Sequence, residues 1–374
     1  MRKKIAVLGA NEPSIPFYRQ TKQLGYEIIG IAYEKGAVCK QYCDRFYPIS
    51  FAEKDKVLEI CRFEKIDGII SFSLESALPT VIYVAQSLGL VSNSEESLQL
   101  TQSKFSQRQA LEKAGIPVPK YYLVENDSDL NSVQCRYPVI VKPVDSGGSQ
   151  GICKVESPEK LFEAYRYAVE YSRTSRAIVE EYVDGREFSV EYISHHGKHY
   201  FLQITDKVTS GAPRFVEMQH HQPANISSSL WLRIQTMVEC ALTALKIENS
   251  ASHTEIKWNS NDELFIIETG ARMGGDFITS DLVRLSTGYD FVHGAVKLAI
   301  NQFEAPVFPK RMFSGVYFYS KLAPEIGDII REHQKWPEIV ECEISEEPLM
   351  EVESNADRRG YLLYQSSMGK VTFE

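Results

Sequence analysis

The first hundred residues alternate strand-like and helix-like segments, and that alternation leaves few folds open. Ile5–Leu8 is an apolar run of strand length, and Phe17–Leu24 has helical spacing ended by Gly25. Glu27–Ala32 reads as a second strand, Lys54–Glu64 as a second helix, and Gly68–Phe72 as a third strand. Pro79–Leu88 is a further helix stopped by Gly89. Strands joined by helical crossovers form a parallel sheet covered on both faces, with ligands beyond the carboxyl ends of the strands. The segment therefore predicts a doubly wound α/β domain. The basic start followed by Ile5–Ala10 imitates a secretory leader, but the apolar run is six residues long and enters Asn11-Glu12-Pro13 without a small-residue cleavage site. It reads as a first buried strand. No stretch approaches the length of a membrane-spanning helix.

At 374 residues, two or three packed units are expected. After residue 100 the pattern changes. Ser103–Ala114 is a helix stopped by Gly115, and Pro117 and Pro119 make an extended link. Hairpin signals around a glycine loop follow, then a helix opened by Ser157-Pro158, with serine as cap and Leu161, Phe162, Tyr165, Ala168 and Val169 at helical spacing. From about residue 302 the chain is again strand-rich, ending in Tyr361–Tyr364 and Val371–Phe373.

Strand one is followed by Gly9-Ala10-Asn11-Glu12-Pro13-Ser14, which lacks the G-x-G-x-x-G fingerprint and gives little support to a dinucleotide site. The chemistry lies further on. Pro138–Pro143 and Ile152–Val155 flank Val144-Asp-Ser-Gly-Gly-Ser-Gln-Gly151, a loop of glycines and serines whose backbone N–H groups can close on phosphate oxygens. Lys142 can set an ammonium beside the same oxygens. No Gly-Lys-Ser/Thr closes the loop, so it is not a Walker A sequence. Ala177–Val183 turns at Asp184-Gly185 into Arg186–Glu191, a hairpin signal unusually rich in carboxylates: Glu180, Glu181, Glu187 and Glu191.

His253–Trp258 and Leu264–Glu268 flank a polar turn. A four-residue loop at Ser260–Glu263 pairs Trp258 with Phe265, Ile256 with Ile267, and Glu255 with Glu268. Ile256, Trp258, Phe265 and Ile267 then share a core face. Glu255 and Glu268 face each other on the opposite side, where directly paired carboxylates repel and need a counter-charge. Hard oxygen ligands beside a phosphate loop suit Mg²⁺, with Lys257 as the alternative neutraliser. Arg272 and a Gly-Gly turn follow at once.

The ordered set resembles the ATP-grasp superfamily, in the branch of carbamoyl-phosphate synthetase and biotin carboxylase. Small carboxylate–amine ligases, the L-amino-acid ligases and the pyrrolysine-pathway ligase, are its nearest likenesses. The likeness runs from the N-terminal strands through Thr101–Lys104, Gly115–Pro119, the Lys142 loop, Glu180–Glu191 and Glu268–Arg272. It implies an α/β (α+β ATP-grasp) architecture. A Rossmann-like domain over 1–100 precedes a two-lobed ATP-grasp over 101–301, with a mobile lid at about 120–185, and a β-rich region over 302–374 packs on that core. By resemblance, Lys104 and Lys142 contact the phosphates of ATP, and Ser146 to Gly151, including Gly148 and Ser149, forms the loop over them. Glu180 and the backbone of Glu181 and Val183 meet adenine, and Glu187 meets the ribose. Glu255 and Glu268 hold Mg²⁺ (or Mn²⁺). Arg272 stabilises the acyl-phosphate and the oxyanion that follows. Lys207, Arg214 and His220 line the acid or acceptor pocket, in a Phe-Val-Glu…His-x-x-Pro segment like that of the amino-acid ligases. Two departures stand out. Gly270 replaces a frequent asparagine, removing one metal oxygen ligand, and Glu181 replaces a frequent lysine.

The implied reaction is ADP-forming ligation of a small carboxylic or amino acid to an amine. The alternatives are a carboxylase component that activates bicarbonate and a nucleotide-binding module without turnover. The excess of 50 acidic over 41 basic residues, a net −9, argues against nucleic-acid and membrane-surface partners. Seven scattered cysteines without paired motifs point to free thiols in a reducing, cytoplasmic setting. A homodimer is the commonest soluble assembly.

Overall fold

A computed structural model describes residues 2–147 and 150–373. Strands β1 (Lys4–Leu8), β2 (Glu27–Ile31), β3 (Arg45–Tyr47) and β4 (Gly68–Ser71) form a parallel sheet in the order β3-β2-β1-β4. Successive side chains point to opposite faces, and both faces are apolar. Ile5, Val7 and Ile28 pack under helix α1 (Ile15–Gln23), while Ala6, Leu8, Ile29 and Ile31 pack under α2 (Lys54–Glu64) and α3 (Leu78–Leu88). The three-residue β3 is too short for periodicity to reveal. Helix α4 (Glu95–Gln102), capped by the Ser94 side chain, runs directly into α5 (Lys104–Lys113), capped by Ser103.

A second, antiparallel sheet orders β5 (Tyr121–Val124), β6 (Val139–Pro143), β7 (Cys153–Val155) and β8 (Ala177–Glu181) as β5-β8-β6-β7. Helix α6 (Leu161–Glu170) covers its apolar face: Val139, Val141, Val155 and Val179 meet Leu161, Ala164, Tyr165 and Ala168. Ser157 makes no side-chain cap here. Pro158–Lys160 form a 3-10 turn and the helix proper begins at Leu161.

The third sheet is antiparallel and spans eight strands: β9 (Arg186–His195), β10 (Lys198–Thr209), β11 (Glu217–Gln222), β12 (Ser250–Trp258), β13 (Leu264–Gly270), β14 (Phe313–Tyr319), β15 (Ile339–Ile344) and β16 (Gly360–Ser366). Their order is β13-β12-β9-β10-β11-β14-β16-β15, so the C-terminal strands continue the central sheet. Val371–Phe373 is not a strand. The Val371 carbonyl accepts the Tyr317 hydroxyl at 2.6 Å and Phe373 packs on Tyr317 and Trp336 instead. Helix α7 (Ser228–Ala244) lays Leu230, Ile234, Val238 and Leu242 on Phe188, Val190, Ile204, Ile256 and Ile266. Each such aliphatic side chain contributes roughly 1.5–3 kcal/mol by burial. Short helices α8 (Val283–Thr287) and α9 (Phe291–Ala299) join this sheet to the N-terminal one, and α10 (Glu325–Arg331) covers β14 and β16.

Two expected turns come out differently. β8 and β9 lie in separate sheets, so Asp184-Gly185 is a crossing between lobes and not a hairpin turn. Its glycine has φ 116°, and a Cβ there would stand 2.1 Å from the Trp258 carbonyl oxygen. The β12–β13 hairpin pairs Glu255 with Glu268 as expected, but a bulge next to that pair shifts the rest by one, giving Ile256–Ile266, Lys257–Phe265 and Trp258–Leu264. The core face is therefore Ile256, Leu264 and Ile266, and Ile267 turns toward the cleft between the lobes. Among the described residues, no helix is long and apolar enough to cross a membrane, and all seven cysteines are free.

Candidate active site

Along β9 the residues Glu187, Ser189 and Glu191 alternate with the core residues Phe188, Val190 and Tyr192. The same alternation puts His253, Glu255 and Lys257 of β12 and Thr205 and Lys207 of β10 on that polar face, opposite α7. Strand pairing then aligns them in rows: Lys207 beside Glu187 beside Lys257, and Thr205 beside Ser189 beside Glu255 beside Glu268. A row of ionisable groups on a sheet face is stable only where opposite charges meet, and here they do.

Glu255 and Glu268 are each held by one oxygen. Lys207 Nζ lies 2.7 Å from Glu255 Oε1, and His253 Nε2 lies 3.6 Å from the same atom. Lys104 Nζ donates to Glu268 Oε1 at 2.9 Å and to the Ser146 carbonyl at 2.7 Å. Burial opposes ionisation of both glutamates, yet the lysines prevail and hold both below the usual carboxylate range. Glu255 Oε2 and Glu268 Oε2 have no partner among the described residues. Two facing carboxylate oxygens of this kind are hard donors that fit Mg²⁺ or Mn²⁺.

Lys142, at the end of β6, meets Glu180 Oε2 at 2.7 Å, and Arg108 of α5 meets Glu180 Oε1 at 2.7 Å. Burial alone would raise the Glu180 carboxyl, but these two cations bring it down to about 2. Both Glu180 oxygens are thus paired with cations, and Glu180 also lines the cleft between the two antiparallel sheets. Arg108 also donates to the Ile267 carbonyl at 2.6 Å, while its Nη1 is buried without a partner among the described residues. Glu181 is tied to the Arg136 amide, and its own N–H to the Lys120 carbonyl.

Between the β5-β8-β6-β7 sheet and the eight-stranded sheet lies a cleft of about 790 Å³. Ile140, Ile152, Tyr182 and Val183 wall one side, Ile267, Phe215 and Pro119 the other, and Glu187, Lys207, Lys257 and Glu255 form the floor. Apolar walls with a few convergent polar groups suit a planar heterocycle bearing charged groups. Arg214 stands at its rim, half exposed and paired with Glu353. Ser146 bonds through its hydroxyl to the Tyr171 carbonyl, and Gly151 takes φ 69° against Pro143 and Tyr171. Gly148 and Ser149 lie outside the described residues.

Lys207 also meets Glu217 at 2.8 Å and Glu187 at 3.3 Å, and burial notwithstanding these carboxylates hold its ammonium well above the usual lysine range. His220 is fully buried, with Nε2 3.3 Å from Glu217 Oε2, so it stands behind Glu217 and off the cleft wall. Asp276 adjoins the same group. Arg358, from the segment between β15 and β16, meets it at 2.6 Å and stacks 3.8 Å over the Phe318 ring. Arg272, two residues past the end of β13, has its Nη1 on the Met273 carbonyl at 3.0 Å and its Nε buried without a partner among the described residues.

Four groups at the site carry no recognisable sequence motif. Glu75, at the carboxyl end of β4, is raised first by burial and next by Glu268, with Arg272 and Lys104 opposing. His253 Nδ1 donates to Glu191 Oε1 at 2.6 Å, and although burial works against its charge, Glu191 lifts it to about 9. Arg108 and the Asp276–Arg358 pair complete the set. The position of Glu75 beyond a parallel strand was the available signal; alternation along β12 was the signal for His253.

Residues 135–281 match the ATP-grasp domain family. A formate-dependent phosphoribosylglycinamide formyltransferase of Mannheimia succiniciproducens is 27% identical over 249 residues, 65% of this chain and 62% of that protein. The chain thus spans less than two thirds of the length of the first curated relatives it matches. The L-amino acid ligase of Bacillus licheniformis superposes with a TM-score of 0.82 at 22% identity, covering 98% of this chain and 94% of that one. The biotin carboxylase domain of the Hydrogenobacter thermophilus 2-oxoglutarate carboxylase, solved with MgADP, ADP and bicarbonate, superposes with a TM-score of 0.76 at 16% identity over 98% of this chain and 87% of that one. Residues 135–281 therefore belong to the ATP-grasp domain family, and the chain around them carries the ATP-grasp fold.

Proposed function

We propose that this protein is an ATP-dependent, ADP-forming carboxylate–amine ligase acting on a small carboxylic or amino acid. The observation that carries the reading is the Glu255–Glu268 pair facing the cleft between the lobes, with Lys104 and Lys142 beside it and Arg272 at its end. A divalent cation held by the free oxygens of the two glutamates would neutralise charge developing on the transferred phosphoryl group. Lys104 and Lys142 bind and orient the phosphates, and the apolar cleft walls hold adenine. A substrate carboxylate oxygen attacks the γ-phosphorus, the bridging P–O bond breaks and ADP departs. The amine nitrogen then attacks the acyl carbon, the bond to phosphate oxygen breaks, and the amine loses one proton as inorganic phosphate leaves. Arg272 stabilises the oxyanion of that second step.

Phosphate release should therefore depend on a particular acid–amine pair, with a dehydrated condensation product seen by mass spectrometry. In Glu268→Ala, metal-dependent release should fall by at least 10²-fold while the circular dichroism spectrum is kept. Full turnover in that variant would remove the metal assignment. A second reading, activation of a one-carbon acid, is favoured by the formate-dependent relative. It is distinguished by formate- or bicarbonate-dependent ADP release with no other acid present.

A further inference from the structure

Lys207 is a cation built into the floor of the cleft. Strand β10 sets it directly across from Glu187, and its ammonium reaches Glu255 at 2.7 Å, Glu217 at 2.8 Å and Glu187 at 3.3 Å with a side chain 2% exposed. Three carboxylates surround the ammonium: Glu255 Oε1 accepts its hydrogen bond, and Glu217 and Glu187 pair with it by charge. This is the coordination that a small cation would otherwise have in the same place. The neighbouring positions point the same way. Glu255 Oε1 is shared between Lys207 and His253, and Glu268 Oε1 is held by Lys104, so each glutamate keeps one oxygen for a ligand. Two protein oxygens, with phosphate oxygens and water, complete the shell of one divalent ion.

Position 270 adds no donor. It is glycine, and a Cβ built there would lie 3.3 Å from Arg272 Nε and 3.4 Å from Arg272 Cγ and Cζ. The Arg272 side chain lies against that position and would have to give by a few tenths of an ångström for any Cβ there. Lys104, Lys207, His253 and Arg272 thus ring the glutamate pair, and a further divalent ion would meet their repulsion.

From these contacts we infer that Lys207 takes the place of a second cation at Glu255, so that the chain loads a single divalent ion with its nucleotide. The inference rests on the nucleotide and metal reading above. It is tested by counting Mn²⁺ bound per chain in the presence of saturating β,γ-imido-ATP, by equilibrium dialysis and by electron paramagnetic resonance, which reports spin coupling between paired ions. Wild type should bind one Mn²⁺ without coupling. Lys207→Met, which removes the ammonium from Glu255 and Glu217, should bind two, and Lys207→Arg, which keeps the charge, should bind one. Two coupled ions in wild type would overturn the inference and leave the ligase reading intact. One ion in both wild type and a folded Lys207→Met would overturn the role of Lys207. Absence of nucleotide-dependent Mn²⁺ in wild type would overturn both readings together. The wild-type count decides even if Lys207→Met does not fold.

Discussion

His253 sits between two glutamates, and its charge is set by the one it touches. Glu191 Oε1 lies 2.6 Å from Nδ1, and this contact outweighs burial to bring the imidazole to about 9. A histidine raised above its unfolded value of about 6.5 binds its proton more tightly in the folded chain. Its contribution to stability is complete below pH 6.5 and is lost as the pH rises through about 9. His253→Gln, which keeps a donor for Glu191 but cannot titrate, should be less stable than wild type at pH 6 by on the order of 2 kcal/mol. At pH 10 that gap should nearly close. Urea unfolding of the metal-free protein at the two pH values measures it, and an unchanging gap would show that folded and unfolded imidazoles bind the proton equally, so that Glu191 does not raise it.

At the scale of elements, the lobe crossing at Gly185 depends on the absence of a side chain. Its φ of 116° is outside the range L-residues adopt readily, and a Cβ would stand 2.1 Å from the Trp258 carbonyl oxygen. Gly185→Ala should cost about 2–3 kcal/mol in unfolding free energy and speed proteolysis between β8 and β9, whereas Gly197→Ala, with φ 73° but nothing near its Cβ, should cost less. Similar losses in both would mean that strain alone, without the contact, governs the crossing. The same turn shows where sequence reasoning stops. Asp184-Gly185 between two apolar runs has the composition of a hairpin, and only the sheets formed by more distant strands reveal a crossing. Alternation in Glu187–Tyr192 and His253–Lys257 was legible, and with it the Glu255–Glu268 pairing. The bulge beside that pair was not legible, because one extra residue leaves the pattern on either side intact and merely turns Ile267 to the cleft. Lys207 was legible as a charged residue of the substrate segment, but its three carboxylates come from β9, β11 and β12 and meet only once the sheet is assembled.

In the whole molecule, the C-terminal strands do more than widen the sheet. The segment that joins β15 to β16 delivers Arg358 to Asp276, a carboxylate on the turn after Arg272 that has φ 49° and abuts Glu217. Burial raises the Asp276 carboxyl first and Glu217 raises it further, while Arg358 opposes both. In Arg358→Met that opposition disappears, and Asp276 must either stay charged without a partner or take up a proton. A carboxyl raised in the folded state stabilises the fold at low pH and loses that contribution as the pH climbs from the unfolded value through the folded one. The variant should therefore be close to wild type near pH 5 and fall behind by about 3 kcal/mol near pH 8. Adding Asp276→Asn should remove the pH dependence and recover most of the loss, since no charge is left to bury. Urea midpoints of the three proteins at both pH values test the argument. A deficit in Arg358→Met that stays constant with pH would instead trace the loss to the stacking of the guanidinium on Phe318, because that contact carries no titrating group.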